Sequence, residues 1–497
     1  MTKPEILKRI TFGERTAEEE SDNLSSYFVE TDEWRQLFSG EADIIYGPKG
    51  SGKSALYALL ADRTGKLFDE DILTVQAENV RGATVFSDLT TNPPANEEKI
   101  RNLWKLYFLS LIGYTFREYG IRNTHSEELI HVLEEASILT TEWDLGMVLR
   151  SVREYLSNFF QPDAIEGGVT LDHSGHPSGV TAKIIFGQPT QEQYDLGIRS
   201  VRNLVDTANQ ALEEEGVDIW ILLDRLDVAF ASTKKLEGNA LRSLFRVYLD
   251  LKSANRISPK IFLRSDIWDR ITVEGFREAS HITKSINIRW DDNTLLNVVM
   301  RRLLQNEEIV DYLSVDKNEV LDDIERQREV FYRVFPDQID VGEKKPSAFD
   351  WMLYRTVDGS DEYVPRELIH LLGRAREIQL KRYETGVEDP EGENIFERRT
   401  FKEALPDVSS TRLENTLYAE YPDLREWLKE LEGEKAEQYP ESLSRIWEVE
   451  RSQALQIANR LVEVGFFEKR GDNQDPSFWT PFLYRPALDL TQGSAER

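Results

Sequence analysis

The chain has 497 residues, and 90 acidic against 61 basic side chains give it a formal net charge of −29. That balance opposes non-specific association with nucleic acid or an anionic membrane over most of the surface, while leaving room for a local basic patch. Cysteine is absent, which excludes disulfides, thiolate metal sites and cysteine nucleophiles.

Residues 1–40 read as a polar lead-in that ends in Ser26-Tyr27-Phe28-Val29 and a short helix from Asp32 to Phe38. Asp43-Ile44-Ile45-Tyr46 is a short apolar strand, and Ala55 to Ala61 is a good helix former. A second strand is expected at Ile72–Val75, and Asn92-Pro93-Pro94 is a break. Three helices follow, at Glu97–Tyr119, His125–Glu135 and Thr141–Phe159. Leu103, Leu106, Tyr107, Leu109, Leu111, Ile112 and Phe116 give the first a wide buried stripe. Residues 167–171 and 180–186 alternate like strands around the turn 173–179, a predicted β-hairpin insertion. A long helix is expected from Gln191 to Glu215, closed by Gly216.

Asp218 to Asp224 is an apolar run ending in a carboxylate, which reads as a buried parallel strand. After a helix at Asn239–Leu251, Lys260–Ser265 is another, with an arginine at its end, and His281–Trp290 is a third. Strands separated by helices predict a parallel α/β sheet. From Asp291 the pattern turns helical, strongest over Leu295–Leu304, and residues 385–397 read as an exposed linker. Ser452–Glu463 is a helix, Val464–Phe467 a strand entry, 471–475 a turn and Phe478–Arg485 a returning strand. Helix plus two-stranded wing is the outline of a winged-helix module. The expected regions are therefore a lead-in (1–40), a sheet domain (41–290) with an insertion over 97–190, a helical lid (291–384) and a C-terminal winged-helix-like domain (398–497). No apolar run approaches the roughly 18 residues of a membrane span, and the N-terminus has no signal-peptide core, so a cytoplasmic location is the default expectation.

Between the first strand and its helix stands Gly47-Pro48-Lys49-Gly50-Ser51-Gly52-Lys53-Ser54, a complete P-loop. The glycines let the backbone turn tightly and aim its N–H groups inward. Lys53 can reach the β- and γ-phosphates of ATP, and the Ser54 hydroxyl can hold Mg²⁺. A helix beginning near Lys53 points its positive end at the anion. Lys49 either touches phosphate or is solvated. The second Mg²⁺ ligand is expected at Asp224, on a strand beside the P-loop strand. Many such sites place an acid directly after this aspartate. Here Arg225 stands there, and Asp227 is the next acid, either the water-orienting base or a partner of Arg225. Arg264 can read the γ-phosphate or pair with Asp266 or Asp269. Arg366 opens a helix after Pro365, which is unfavourable against the helix dipole. Phosphate, Asp361 or Glu362 would offset it. Tyr27 and Phe28 can stack on adenine or pack in the core. His173 and His176 lack the partners of a metal site.

With these motifs in place, the chain resembles the AAA+-related STAND and KAP-like P-loop ATPases. It looks still more like a little-characterised bacterial ATPase family. The matching marks are Phe12-Gly13, Ala17–Glu20, Tyr27–Thr31, Gly47–Ser54, Leu222–Asp227, Phe262–Trp268 and Arg289-Trp290. The resemblance implies a nucleotide-binding domain, a helical lid and a winged helix, serving as an ATP-gated switch in anti-phage defence or a related conflict system. It further implies a homo-oligomer completed by an arginine of the neighbouring subunit, with Arg277, Arg301 and Arg302 as the choices. Arg301 and Arg302, on a periodic helix, read as partners of acids on its solvated face. An effector or sensor would be a partner chain. Two other readings stay open: a DNA-handling ATPase using the winged helix, and a non-hydrolysing scaffold.

Overall fold

The computed structural model describes the chain apart from residues 14–19, 21–23, 25–27, 78–96, 141–143, 160–168, 172–176, 181–182, 227–233, 274, 387–389, 391, 473–474 and 497. It divides into two compact units. One comprises Asp32–Gly47 and Lys53–Asn287, the other Met1–Thr31, Pro48–Gly52 and Ile288–Arg497. Among the described residues no helix is long and apolar enough to cross a membrane.

The first unit is built on five parallel strands: β1 (Ile44–Gly47), β2 (Ile72–Gln76), β3 (Asp218–Leu223), β4 (Ile257–Arg264) and β5 (Ser285–Asn287), in the order β2-β3-β4-β1-β5. The parallel α/β sheet expected from the sequence is therefore present. Its neighbours differ in one respect: β4 lies between β1 and β3, so the strand ending at Asp224 is not beside the P-loop strand. Both β3 and β4 are apolar on both faces, and periodicity cannot rank two such strands.

Helix α1 (Lys53–Asp62) follows β1 directly but for the loop. Helix α2 (Glu97–Tyr119), at the predicted bounds, buries a face from Ile100 to Phe116. It is fixed by Trp104, whose Nε1 donates to Ala240 O (3.0 Å), and by Tyr107, whose hydroxyl donates to Ala77 O (2.8 Å). Arg101 forks onto Asp250 of helix α3 (Lys234–Leu251). At the opposite end of the sheet from the loop, Lys260 Nζ donates to Asp43 Oδ1 (2.8 Å) and Ala42 O (2.9 Å), and Tyr248 donates to Asp43 Oδ2 (3.0 Å). Burial pulls the Lys260 ammonium down, and the Asp43 carboxylate opposes that. The pair ties β4 to the start of β1.

Three local expectations are corrected here. The hairpin pairs Val169–Leu171 with Pro177–Val180, and Ile184–Ile185 instead runs parallel to Arg199–Ser200. The long helix from Gln191 is two, Gln191–Asp195 and Val201–Glu215, because Gly197 (φ +84°) and the Ser200 cap restart it. The strand at 281–290 shrinks to β5, preceded by a 3₁₀ turn at Arg277–His281.

In the second unit, helix Lys3–Arg9 of the supposedly polar lead-in buries Ile6, Leu7 and Ile10, and Phe12 follows them into the core. Arg376 donates to the Leu7 and Lys8 carbonyls at that helix's end (3.0 and 2.9 Å). The core is rich in phenylalanine: Phe335 stacks on Phe331 and Phe396 with centroids 4.3 and 4.9 Å apart. Phe396 and Ile395 are fully buried, so the end of the predicted linker 385–397 is core. Its acidic, glycine-bearing flank masks two apolar anchors. Helices α4 (Pro365–Glu384) and α5 (Arg398–Arg412) pack together.

Helix α6 (Arg451–Glu463) leads into a four-stranded sheet of β6 (Lys435–Gln438), β7 (Glu468–Arg470), β8 (Ser477–Trp479) and β9 (Thr491–Ser494), ordered β7-β8-β6-β9. β7 and β8 pair antiparallel, with Lys469 opposite Phe478. The returning strand stops at Trp479, well short of the predicted Arg485, because Pro481 cannot donate to a ladder.

Candidate functional site

The P-loop is shared between the units. In the sheet unit, Gly47 ends β1 and Lys53 opens α1. Lys53 Nζ donates to Gly47 O at 2.9 Å, closing the loop across its two ends. Ser54 stands in the first turn of α1, partly exposed. Gly47 is in register with Arg264 at the end of β4. Leu223 is level with Ile261, so Asp224, which follows it, stands at the same carboxyl edge. The three strand ends thus bring Gly47, Arg264 and Asp224 to the edge where open α/β sheets bind ligands. Asp224 is buried.

Arg264 donates to both oxygens of Asp266, Nε and Nη2 each at 2.9 Å. Desolvation raises the Asp266 carboxyl, but Arg264, with Arg270 and Lys53 adding, outweighs it and holds the group below its ordinary range. Of the two partners weighed for Arg264, Asp266 is the one it takes in this structure. Arg225 has a backbone φ of +56°, a left-handed value costly for a residue with a Cβ. It turns the chain sharply straight after Asp224. Asp227 lies outside the described residues, as do Tyr27, His173 and His176.

In the second unit, the loop tip Pro48–Gly52 turns on Gly50 (φ +86°) and Gly52 (φ +96°), with Ser51 N donating to Pro48 O at 3.2 Å. Trp290 Nε1 donates to Ser51 O at 2.8 Å. A Cβ at Gly50 would meet the Arg366 Cβ at 3.1 Å. The tip therefore needs glycine there for both backbone and space. Lys49 is ion-paired with Glu420, so it is not the solvated lysine of the sequence reading. Arg366, second residue of α4, pairs with neither Asp361 nor Glu362, and its Nε is buried without a hydrogen bond. Lys49, Arg366, His370, Thr411, Asn415 and Thr416 are among the residues lining a cavity of about 210 Å³.

Behind this cavity stands a buried charge network that sequence reasoning missed. Arg412 donates to Glu367 Oε1 (2.9 Å), to Asp358 Oδ2 (2.7 Å) and, more weakly, to the Tyr484 hydroxyl (3.4 Å). Burial alone would lower the Arg412 guanidinium, but Glu367, Tyr484 and Asp358 together hold it well above its usual value. Trp290 stood among the family-like marks without a role. Glu420, Glu367 and Arg412 carry no local pattern, because their partners lie tens or hundreds of residues away. Arg302 is buried and paired with Glu20 (2.6 and 2.9 Å), and Arg301 bonds Asn297 rather than an acid, so neither sits on an acid-lined solvated face as expected. Arg277 is exposed and unpaired.

No family model matches the chain. A curated protein of Escherichia coli K12, named "Putative transposon gamma-delta 80.3 kDa protein", is 24% identical over 375 residues, covering 73% of this chain and 46% of that protein. The chain thus spans about half the length of the curated relative it matches. Among solved structures, a Walker-type ATPase of Pyrococcus abyssi aligns over 93% of this chain and 95% of its own at 10% identity and a TM-score of 0.40. The Aeropyrum pernix ORC2 protein in its ADPNP–ADP complexes aligns over 97% and 95% at 13% identity and a TM-score of 0.36. Likeness at this level carries no argument about what this chain does.

Proposed function

We propose that the chain binds ATP with Mg²⁺ through Gly47–Ser54, hydrolyses it, and works as a nucleotide-dependent switch acting through a partner chain. The observation that supports this most is the joining of a complete P-loop to a parallel strand and helix, with Asp224 and Arg264 at the same sheet edge. Lys53 would hold the β- and γ-phosphates, and Ser54 and Asp224 would hold Mg²⁺. Gly47, Pro48, Lys49, Gly50, Ser51 and Gly52 would form the cradle. Arg264 and Arg366 would read the γ-phosphate, each a donor fork suited to phosphate oxygens. Arg264 would then exchange Asp266 for the nucleotide, so a nucleotide-free and a nucleotide-bound arrangement differ at one ion pair.

The two aspartates separate by experiment. Asp224→Asn should weaken Mg²⁺–ATP binding, because it removes a charge from the metal's shell. Asp227→Asn should leave binding intact and slow turnover. Normal hydrolysis in the Asp227 variant would move the base elsewhere.

Assembly is the second part of the proposal. Arg277, exposed and without an ion pair, is the arginine we assign to a neighbouring subunit's nucleotide. Light scattering with ADP against a slowly hydrolysed ATP analogue should give a larger mass with the analogue, and Arg277→Ala should remove the difference. The same mass with both nucleotides would refute nucleotide-controlled assembly. The wider setting, a cytoplasmic defence system with an effector partner, rests on the family resemblance.

A further inference from the structure

Three guanidinium groups of the C-terminal module alternate with two aromatic rings. Arg470 lies 4.1 Å from the centroid of Trp479, and Arg485 lies 4.7 Å from the same ring. Arg485 is also 4.0 Å from Phe482, and Arg355 is 3.6 Å from Phe482. The order is Arg470, Trp479, Arg485, Phe482, Arg355. Few carboxylates answer these charges. Arg470 forks onto Glu468 (2.7 Å), and Arg355 reaches Asp340 only at 3.8 Å, an oxygen acceptor already shared with Lys402 and Trp351. Arg485 is buried, donates Nε to Thr480 O at 2.9 Å, makes no ion pair among the described residues and leaves Nη2 without a hydrogen bond. Burial and the charges of Arg355 and Arg470 pull its guanidinium down to about 10. So the cluster is short of anions, in a chain with a net charge of −29.

We propose that this ladder is a binding site for the phosphodiester backbone of a single-stranded nucleic acid. Each ring already faces guanidinium groups, so it offers little face for base stacking, and the arginines remain as forks for oxygen anions. Neighbouring forks are separated by the thickness of one ring. That regular spacing suits a repeating anion better than the irregular carboxylates of an acidic peptide. Three contacts give weak binding without base readout, which agrees with the acidic surface elsewhere.

The test is fluorescence anisotropy of a labelled thymidine oligonucleotide, with a polyglutamate peptide as the competing class. The wild-type chain should bind the oligonucleotide with log affinity falling against log salt at a slope of about −2, from roughly 0.7 per phosphate. Arg470 is exposed, so Arg470→Glu should fold; it should weaken binding about tenfold and flatten the slope by about 0.7 or more. Arg355→Gln should act in the same direction, and Glu468→Ala should tighten binding by freeing Arg470. Lys53→Ala should bind the oligonucleotide like wild type, which keeps this site separate from the nucleotide reading. No binding by wild type, unchanged binding in both arginine variants, or displacement by polyglutamate at equal charge would overturn the proposal.

Discussion

Replacing Lys53 by alanine is expected to reduce ATP turnover by on the order of a hundredfold or more, while the chain stays folded. The lysine opens α1 and is partly exposed, and the bond it donates inside the protein is to the Gly47 carbonyl. Losing one such bond costs about 1 kcal/mol, too little to unfold the sheet unit. Losing the charge that faces the transferring phosphate is a different matter. A single preorganised donor at developing negative charge is worth about 10²–10³ in rate. Steady-state phosphate release, beside a melting curve of the same variant, separates the two effects. Wild-type turnover in a folded Lys53→Ala protein would sink the role of the loop.

The second large effect is structural. Arg412→Met should destabilise the second unit by about 3–5 kcal/mol, because it leaves Glu367 and Asp358 as buried carboxylates without their cation. For a unit of this size that is a fall in melting temperature on the order of 10 °C. Adding Glu367→Gln to the same chain should recover part of the loss, since it removes one uncompensated charge. A single variant that melts like wild type, or a double variant no better than the single, would show that the network is not the support described. Glu367 and Arg366 both face the loop tip at Gly50, so the same double variant should disturb nucleotide affinity more than the Lys260–Asp43 pair at the other end of the sheet would.

What the sequence disclosed follows from the range of each signal. The P-loop, strand β1 and helix α2 were legible because their cues are local: a fixed glycine spacing, a short apolar run and a stripe at helical period. Asp224 and Arg264 were legible as strand-ending charges. Their neighbours were not, because two strands apolar on both faces look alike, and only the register Gly47 to Arg264 reveals which one lies against the loop strand. The C-terminal partners of the loop tip were invisible for a further reason. Lys49 and Glu420 are 371 residues apart, and no periodicity links them. Ile395 and Phe396 were misread because two apolar anchors inside an acidic stretch give no periodic pattern. The arginine and aromatic ladder lay in view as Lys469-Arg470 and Arg485, but its third cation, Arg355, comes from another part of the chain.

The central claim is that Gly47–Ser54 holds Mg²⁺–ATP. Isothermal titration of the purified full chain with ATP and Mg²⁺ tests it most directly. The account predicts one nucleotide per chain, weaker binding when Mg²⁺ is chelated, and a rise in thermal stability that at a hundredfold excess over Kd amounts to about 2.7 kcal/mol. Absence of both binding heat and thermal shift at millimolar ATP would contradict it.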